Sequence, residues 1–267
     1  MKLKGQVAVV TGAGRGIGRA HALHLARLGA DVVINDINLD SAKEFDEKLT
    51  APTVVDEVKA LGVRSLGIQV DVRDKKAVDA MFQQVLAEFG RVDILMNNAG
   101  GLVGDRTQSY ASTAPEADMR ATLDTNLMGT IFCCQAAAVP MKEQRYGRIV
   151  TTSSQAGLRG APRGYYAYYG AAKAAIVNYT QNLAQELGYY GITVNCIAPA
   201  YIETGRMVAW NRWDLEENRK AMEKQVPLGR LGTPEDCARV LEFFVTDLGD
   251  YVTGQTLSVC GGVIKFR

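Results

Sequence analysis

A tyrosine and a lysine four residues apart are the first side chains in this sequence that point to catalysis. Tyr169 and Lys173 lie in a segment whose pattern predicts a helix, and residues four apart share one face of a helix. A phenol ionises near about pH 10, but a neighbouring ammonium favours the phenolate and lowers the pKa of the phenol. The pair therefore predicts a side chain that exchanges a proton near neutral pH.

A hydroxyl group precedes this pair in the chain. Ser154 ends a run rich in Val, Ile and Thr that predicts a strand, and Gly157 follows three residues later. When a hydride leaves an alcohol carbon, the hydroxyl proton must leave as well, and a phenol beside an oriented hydroxyl supports both events. The YxxxK spacing alone is a common accident, and a tyrosine that heads a helix is more often a packing group. Tyr168, five residues before the lysine, fits the spacing less well.

A glycine-rich turn near the N-terminus predicts a dinucleotide site. Residues 11–19 read TGAGRGIGR, between a strand pattern and a helix pattern. Glycines there let the backbone approach a pyrophosphate, and the helix N-terminus supplies N–H groups and partial positive charge. The spacing GxxxGxG fits through Gly12, Gly16 and Gly18, whereas GxGxxG fails because its third position holds Ile17. Alone, either pattern is weak, since turns are commonly rich in glycine.

The end of the second predicted strand favours one of the two nicotinamide cofactors. Asp36 closes the run DVVIND, and its carboxylate can accept hydrogen bonds from the adenosine ribose and repel a 2′-phosphate. Arg15 in the glycine-rich turn argues the other way, because a basic side chain can contact that phosphate. Asp36 weighs more, since its repulsion is a direct penalty whereas Arg15 can turn outward. The sequence predicts NAD.

The elements that position these residues alternate along the chain. Short apolar runs and longer helical patterns predict an α/β fold, with about seven parallel strands in one sheet covered by helices on both faces. No linker divides residues 1–267, so we expect a single doubly wound domain. The strands are expected at 7–10, 32–34, 66–70, 94–96, 148–152, 193–197 and 256–259. The helices are expected at 16–28, 74–89, 117–141, 169–187 and 234–248.

Small and polar residues close the third and fourth predicted strands. Asp71 and Val72 end one strand, and Asn97-Asn98-Ala99-Gly100 ends the next. Each set alone is ordinary turn chemistry. Strand ends of an open α/β sheet line the crevice where ligands bind, so their joint occurrence predicts that crevice.

Together these motifs resemble the short-chain dehydrogenase/reductase family. The TGAGRGIG turn, the NNAG at 97–100, Asn126, Ser154, Tyr169 with Lys173, and Pro199 follow the order of the family over essentially the whole chain. The resemblance implies a Rossmann-type domain and an oxidoreductase that transfers a hydride between NAD(H) and a secondary alcohol or ketone, without a metal. Two departures are Pro199-Ala200, where the family usually has Pro-Gly, and a slightly long interval from Ser154 to Tyr169.

The resemblance also implies residue roles. Ser154 would polarise the substrate carbonyl and Tyr169 would exchange the proton. Lys173 would lower the pKa of Tyr169 and hold the nicotinamide ribose, and Asn126 would anchor a water relay. The implied cofactor-binding residues are Gly12, Arg15, Gly16, Ile17, Gly18, Asp36, Asp71, Val72, Asn98, Ala99, Gly100, Tyr169, Lys173, Pro199, Ile202 and Thr204.

Three segments are longer than the alternation of strands and helices requires, at 38–61, 101–116 and 203–226. The first is similar to insertions in carveol-dehydrogenase-like members, and it is either a cover for the adenosine end of the cofactor or a plain surface extension. The third, which we call the lid segment, carries Met207, Trp210 and Trp213 and then becomes charged. We expect it to select a fairly apolar, cyclic or aryl-bearing substrate, with Tyr201 and residues 101–103 completing the wall. The alternative is that both tryptophans pack permanently in the core.

Composition limits the partners. With 30 Lys and Arg against 29 Asp and Glu, the formal charge of +1 gives no global field for nucleic acid or an acidic membrane. The first apolar run is too short for a signal peptide or a span, so we expect a cytoplasmic protein with a small-molecule substrate. Apolar residues around the helices at 117–141 and 169–187 predict a homotetramer. Alternatives are a 3-oxoacyl-carrier-protein-type reductase and a non-catalytic dinucleotide sensor.

Overall fold

Seven parallel strands form one sheet in the computed structural model, which describes residues 1–264 apart from the side chain of Pro162. The strands are β1 (Val7–Thr11), β2 (Asp31–Asp36), β3 (Ser65–Gln69), β4 (Ile94–Asn97), β5 (Gly147–Thr152), β6 (Ile192–Pro199) and β7 (Thr256–Val259). Their order across the sheet is β3-β2-β1-β4-β5-β6-β7. The order reverses between β1 and β4, and ligands of such sheets bind in the crevice at that point.

Helices connect the strands and cover both faces of the sheet. The helices are α1 (Gly16–Arg27), α2 (Val54–Lys59), α3 (Lys75–Phe89), α4 (Glu116–Leu123), α5 (Gly129–Gln144), α6 (Gln155–Leu158), α7 (Ala167–Leu187), α8 (Gly205–Asn211), α9 (Glu216–Glu223) and α10 (Pro234–Val245). Short 3₁₀ segments lie at Ser41–Phe45, Arg106–Gln108, Pro162–Gly164, Gly188–Tyr190 and Asp247–Gly249. Within residues 1–264, none of the helices combines the length and apolar character needed to cross a membrane.

Alternation along the strands builds two apolar cores. In β1, Val7 and Val9 pack into the core beneath α3, α5 and α7, whereas Ala8 and Val10 pack into the core beneath α1 and α10. Successive side chains of a strand point to opposite faces, and a parallel strand buried on both faces therefore reads as a continuous apolar run. The predicted doubly wound α/β fold with seven parallel strands is confirmed.

Two segments differ from the sequence-based expectations. The 38–61 segment, predicted as an irregular excursion, contains the 3₁₀ turn Ser41–Phe45 and α2, whose N-cap Thr53 accepts a hydrogen bond from the Asp56 N–H. The helix predicted at 117–141 is divided by a π-helical turn at Asp124–Met128. The lid segment contains α8 and α9, and α9 agrees with the amphipathic helix expected for its charged part. The lid segment and the 38–61 segment are thus partly helical.

Candidate active site

A cavity of about 560 Å³ lies at the carboxyl edge of the sheet. It runs from Asp36 at one end, past the glycine-rich turn and Tyr169, to Trp210 at the other. All the predicted site residues line it except Asn126, which is fully buried behind its wall. The ends of six strands, β1 to β6, and the turns that follow them therefore bring one set of side chains together.

Two turns that line the cavity, the glycine-rich turn and the one at 97–100, are joined by hydrogen bonds. The Thr11 hydroxyl accepts hydrogen bonds from the backbone N–H groups of Asn98 and Ala99, both at 3.0 Å. The side-chain amide of Asn98 donates to the carbonyl oxygens of Thr11 and Gly12 at 3.1 and 3.0 Å. A Cβ on Gly12 would lie 2.8 Å from the Ala99 Cα, and one on Gly18 would collide with the Gly12 carbonyl oxygen. These glycines are required by close packing, and the Asn98 side chain positions the turn.

Asp36 lies at the far end of the cavity, 8% exposed. Its carboxylate accepts hydrogen bonds from the Gly14 N–H at 2.9 Å and the Asn38 N–H at 3.1 Å, and from the Ser41 hydroxyl at 3.5 Å. The Arg15 guanidinium stacks over the Phe45 ring, 4.6 Å from the ring centre. Within residues 1–264, Asp36 forms no ion pair, and its oriented carboxylate lines the cavity.

The glycine-rich turn fits the pyrophosphate of a dinucleotide. Arg15, at the N-cap of α1, makes no capping hydrogen bond with its side chain, and the turn lines the cavity directly. Such a helix start attracts a phosphate through its N–H groups and dipole. One donor there is already used, because Glu47 accepts a hydrogen bond from the Gly16 N–H at 2.8 Å.

Tyr169 and Ser154 lie at the inner part of the cavity. Ser154 is the N-cap of α6, and its hydroxyl accepts from the Ala156 N–H at 3.3 Å and hydrogen-bonds the Tyr169 phenol. Burial raises the pKa of Tyr169, while the bond to Ser154 and the charge of Arg206 oppose that rise. Phenol and hydroxyl thus face the same volume, where a substrate oxygen would reach both.

Lys173 lies beneath the phenol on the same face of α7. Its ammonium donates to the Thr152 carbonyl oxygen at 2.7 Å and lies 5.7 Å from the centre of the Tyr169 ring. Burial lowers the pKa of Lys173 to about 8. That Lys173 lowers the pKa of Tyr169 stays a prediction. In the protein alone, the charge that opposes the rise of the phenol pKa is that of Arg206.

Asn126 holds the turn beside Lys173 through its side chain. Its amide oxygen accepts from the Gly101 N–H at 2.9 Å, and its amide nitrogen donates to the carbonyl oxygens of Gly101 and Thr122 at 2.7 and 2.8 Å. A Cβ on Gly100 would lie 2.5 Å from the Asn126 amide oxygen and 3.3 Å from the Lys173 ammonium. Gly100 therefore allows the two polar groups to approach each other.

The neighbours of the predicted catalytic residues have other partners. Tyr168 is 7% exposed, and its phenol donates to the Val103 carbonyl oxygen at 3.1 Å. The Ser153 hydroxyl donates to the Lys173 carbonyl oxygen at 2.8 Å. Both hydroxyl groups thus donate to backbone carbonyl oxygens. Tyr168 does not line the cavity, and Ser153 lines it with its hydroxyl already bonded.

The remaining predicted cofactor residues surround the middle of the cavity. Asp71 pairs with Arg73 at 2.6 Å, which lowers the pKa of the Asp71 carboxyl. Thr204 caps α8 by accepting from the Met207 N–H at 3.3 Å, and its methyl group lies opposite Gly16. The other members of this group that line the cavity are Ile17, Val72, Pro199 and Ile202.

Comparison with known proteins agrees with this geometry. The family model described as "Enoyl-(Acyl carrier protein) reductase" matches residues 12–264. The chain belongs to the short-chain dehydrogenase/reductase family. It is 50% identical over 268 residues to the cyclohexanol dehydrogenase of Rhodococcus sp. (strain TK6), covering 98% of this chain and 97% of that protein.

Other members of the family are similar over the same length. The (2S)-[(R)-hydroxy(phenyl)methyl]succinyl-CoA dehydrogenase subunit of Thauera aromatica is 41% identical over 262 residues, 98% of each chain. The structure of NAD+-bound xylitol dehydrogenase superposes with a TM-score of 0.87 at 31% identity, covering 98% of this chain and 100% of that one. This short-chain dehydrogenase/reductase is therefore a dinucleotide-dependent oxidoreductase of the alcohol dehydrogenase and ketone reductase type, as predicted.

Sequence reasoning missed two side chains of the site. Arg206 lines the cavity, and Glu47 joins the glycine-rich turn to α8 by accepting also from the Gly205 N–H at 3.2 Å. Tyr166, in the long interval from Ser154 to Tyr169, also lines the cavity. The sequence gives only weak signals of these contacts. Arg206 is a charged residue before an apolar stretch, and a second glycine, Gly101, follows the NNAG motif. Neither signal identifies a contact between distant parts of the chain.

Proposed function

We propose that this protein is an NAD-dependent dehydrogenase of cyclic secondary alcohols. The observation that carries the proposal is a phenol, a serine hydroxyl and a lysine in one cavity that is also lined by several apolar side chains. Leu102, Val103, Met207 and Trp210 are among these apolar residues. Similarity to a protein named cyclohexanol dehydrogenase supports a ring-shaped substrate.

In the proposed reaction each residue has one task. NAD+ supplies the hydride acceptor when it is bound. Tyr169 takes the hydroxyl proton of the alcohol, and Ser154 donates a hydrogen bond to the oxygen as it becomes a carbonyl. Lys173 holds a proton next to the phenol and lies where it can contact the nicotinamide ribose. Asn126 positions the backbone at Gly100 and Gly101, and its backbone can hold a water next to Lys173.

The preference for NAD rests on Asp36. Its carboxylate accepts from backbone groups that fix its direction, and a 2′-phosphate placed there would meet a negative charge. Arg15 is the side chain that would favour NADP, but its guanidinium stacks on Phe45. We further propose that the protein works in the cytoplasm as a homotetramer and that its lid segment closes over the substrate.

A panel of alcohols tests the proposal. We would measure kcat/KM with NAD+ and NADP+ for cyclohexanol, methylcyclohexanols, 1-phenylethanol and 2-propanol, following NADH absorbance. Cyclic alcohols with NAD+ are expected to give the highest values. Activity confined to 3-oxoacyl thioesters with NADPH would instead support the carrier-protein reductase alternative, and NADH binding without turnover of any alcohol would support a dinucleotide sensor.

A further inference from the structure

Arg206 places a guanidinium group inside the substrate end of the cavity. It stands in the first turn of α8, with its guanidinium carbon 5.1 Å from the centre of the Trp210 ring. On its other side is Gly101, where a Cβ would lie 2.7 Å from Nη1 and 3.3 Å from the guanidinium carbon. Gly101 has a φ of +148°, so this glycine gives both the backbone conformation and the space that the guanidinium occupies.

This guanidinium lacks a compensating partner among residues 1–264. Its Nε is buried and makes no hydrogen bond there. Burial and the charge of Arg15 lower the pKa of Arg206. The carboxylate that opposes this shift belongs to Glu47, whose oxygens accept from the Gly16 and Gly205 N–H groups. A buried cation without a hydrogen-bonded partner costs free energy, which a bound anion would recover.

The position of Arg206 favours the substrate over the cofactor as the source of that anion. Gly101 and Trp210, which sandwich the guanidinium, line the same cavity as Tyr169, and the charge of Arg206 acts on the pKa of the Tyr169 phenol. Arg15, whose charge also acts on Arg206, lies on the glycine-rich turn and stacks on Phe45. Leu102 and Met207 are apolar residues that line the same cavity, so Arg206 places a charge beside apolar side chains.

We infer that the preferred substrate is a cyclic secondary alcohol that carries a carboxylate, which Arg206 binds while the ring lies against Trp210 and Leu102. A guanidinium binds a carboxylate through two parallel hydrogen bonds, and this geometry fixes the orientation of the ring. The hydroxyl at another ring position would then face Tyr169 and Ser154. This inference rests on the proposed function and names its substrate class.

Matched substrates test the inference. We would compare kcat/KM for cyclohexanol, the cis and trans isomers of 3- and 4-hydroxycyclohexane-1-carboxylate, and the methyl esters of these acids. At least one acid is expected to exceed cyclohexanol and its own ester by about tenfold or more. In Arg206→Met the ratio of acid to cyclohexanol should fall at least about thirtyfold, and Arg206→Lys should restore part of it.

Arg212→Met is the matched control, because this substitution removes the same charge from the same segment. Arg212 pairs with Asp214 outside this cavity. Its acid-to-cyclohexanol ratio should equal that of the wild type. Fluorescence titration with NADH tests whether Arg206 binds the cofactor instead. If Arg206→Met raises the Kd for NADH tenfold and leaves the acid-to-cyclohexanol ratio unchanged, Arg206 serves the cofactor and the inference is overturned. If Arg206→Met lowers kcat/KM equally for all alcohols and displaces the pH profile, Arg206 acts on Tyr169 and the inference is also overturned.

The two proposals fail in different ways. If wild-type protein oxidises cyclohexanol but no acid isomer is preferred over its ester, the carboxylate inference is wrong and the proposed function stands. If wild-type protein oxidises neither cyclohexanol nor any of the acids, the proposed function itself is wrong.

Discussion

The acid/base residue of this site is held in surroundings that oppose its ionisation. Burial raises the pKa of Tyr169 and lowers that of Lys173 to about 8, so both groups favour their neutral forms. After Tyr169 and Lys173 together have lost one proton, two arrangements are possible: a phenol beside a neutral amine, or a phenolate beside an ammonium. Both arrangements hold the same number of protons. The pair can therefore release one proton near pH 8 and still present a phenolate to the substrate. The YxxxK spacing predicted the neighbours, but burial of this kind depends on packing that the spacing does not contain.

Replacing the phenol tests its role directly. Tyr169→Phe should lower kcat by about 10³-fold because only the transferable proton is lost. NADH affinity, measured by fluorescence titration, should stay within about threefold of wild type. Tyr168→Phe is the matched control, since that phenol bonds the Val103 carbonyl oxygen. If Tyr168→Phe is the inactive variant and Tyr169→Phe turns over normally, the catalytic tyrosine has been assigned to the wrong residue.

The direction of the reaction should decide the sign of its pH dependence. Alcohol oxidation needs the pair with one proton removed, so its kcat/KM should rise about tenfold per pH unit below pH 8 and then level. Ketone reduction needs that proton and should be constant at low pH and fall above pH 8. In Lys173→Met the rise should move to higher pH, because only the phenol with its raised pKa remains. Oxidation that is independent of pH between 6 and 9 would contradict this assignment.

Asp36 should control the choice of cofactor. Asp36→Ala is expected to lower the NAD+ to NADP+ ratio of kcat/KM at least about tenfold, because the repulsion of the 2′-phosphate and the acceptor for the ribose hydroxyls are lost together. Glu44→Ala is the control, since Glu44 is a carboxylate on the same rim that bonds the Asn38 side chain. Wild-type protein that prefers NADP+ would show that Arg15 outweighs Asp36.

At the scale of elements, the sequence predicted the strands and helices but not the contacts between the long segments that connect them. Strand and helix patterns depend on neighbouring residues, so β1 to β7 were found within a few residues. Glu47 contacts the N–H of Gly205, 158 positions away, and no local pattern records such a pair. The fold brings the 38–61 segment, the glycine-rich turn and the lid segment to one place, and only the assembled sheet reveals it. Arg206 was missed for the same reason.

The two tryptophans of the lid segment, predicted to behave alike, differ in their surroundings. Trp213 is 2% exposed and Trp210 is 39% exposed, although both line the cavity. Trp210→Ala should raise KM for bulky cyclic alcohols more than for 2-propanol, because it removes an apolar wall. Trp213→Ala should instead lower Tm, since it deletes a buried side chain and costs about 3–5 kcal/mol.

Stopped-flow fluorescence distinguishes a closing lid from a fixed wall. Mixing with NAD+ and then with substrate should change the tryptophan signal of wild-type protein, and Trp210→Phe should abolish most of that change. Equal KM effects of Trp210→Ala on large and small alcohols, with no fluorescence change, would make both tryptophans purely structural residues.

At the scale of the whole molecule, the sheet turns scattered motifs into one site. Residues from the ends of β1, β2, β3, β4, β5 and β6 meet at the carboxyl edge because all strands run in the same direction. This convergence follows from the order of motifs in a parallel sheet, which is why the residues given by the family resemblance, except Asn126, line one cavity. The two faces remain distinct, with α3, α5 and α7 on one and α1 and α10 on the other.

The face that carries α5 and α7 is where we expect the subunits of a homotetramer to meet. Val139 on α5 is 61% exposed, and Tyr189, directly after α7, is 83% exposed. Helices with apolar residues on both sides need a second surface to bury them. Light scattering at micromolar concentration should therefore give four times the mass of one chain. Val139→Asp should reduce that mass, because a buried unpaired charge weakens an interface, whereas Leu248→Asp, 59% exposed beyond α10, should leave it unchanged. A monomeric wild-type protein would show that these apolar side chains face solvent.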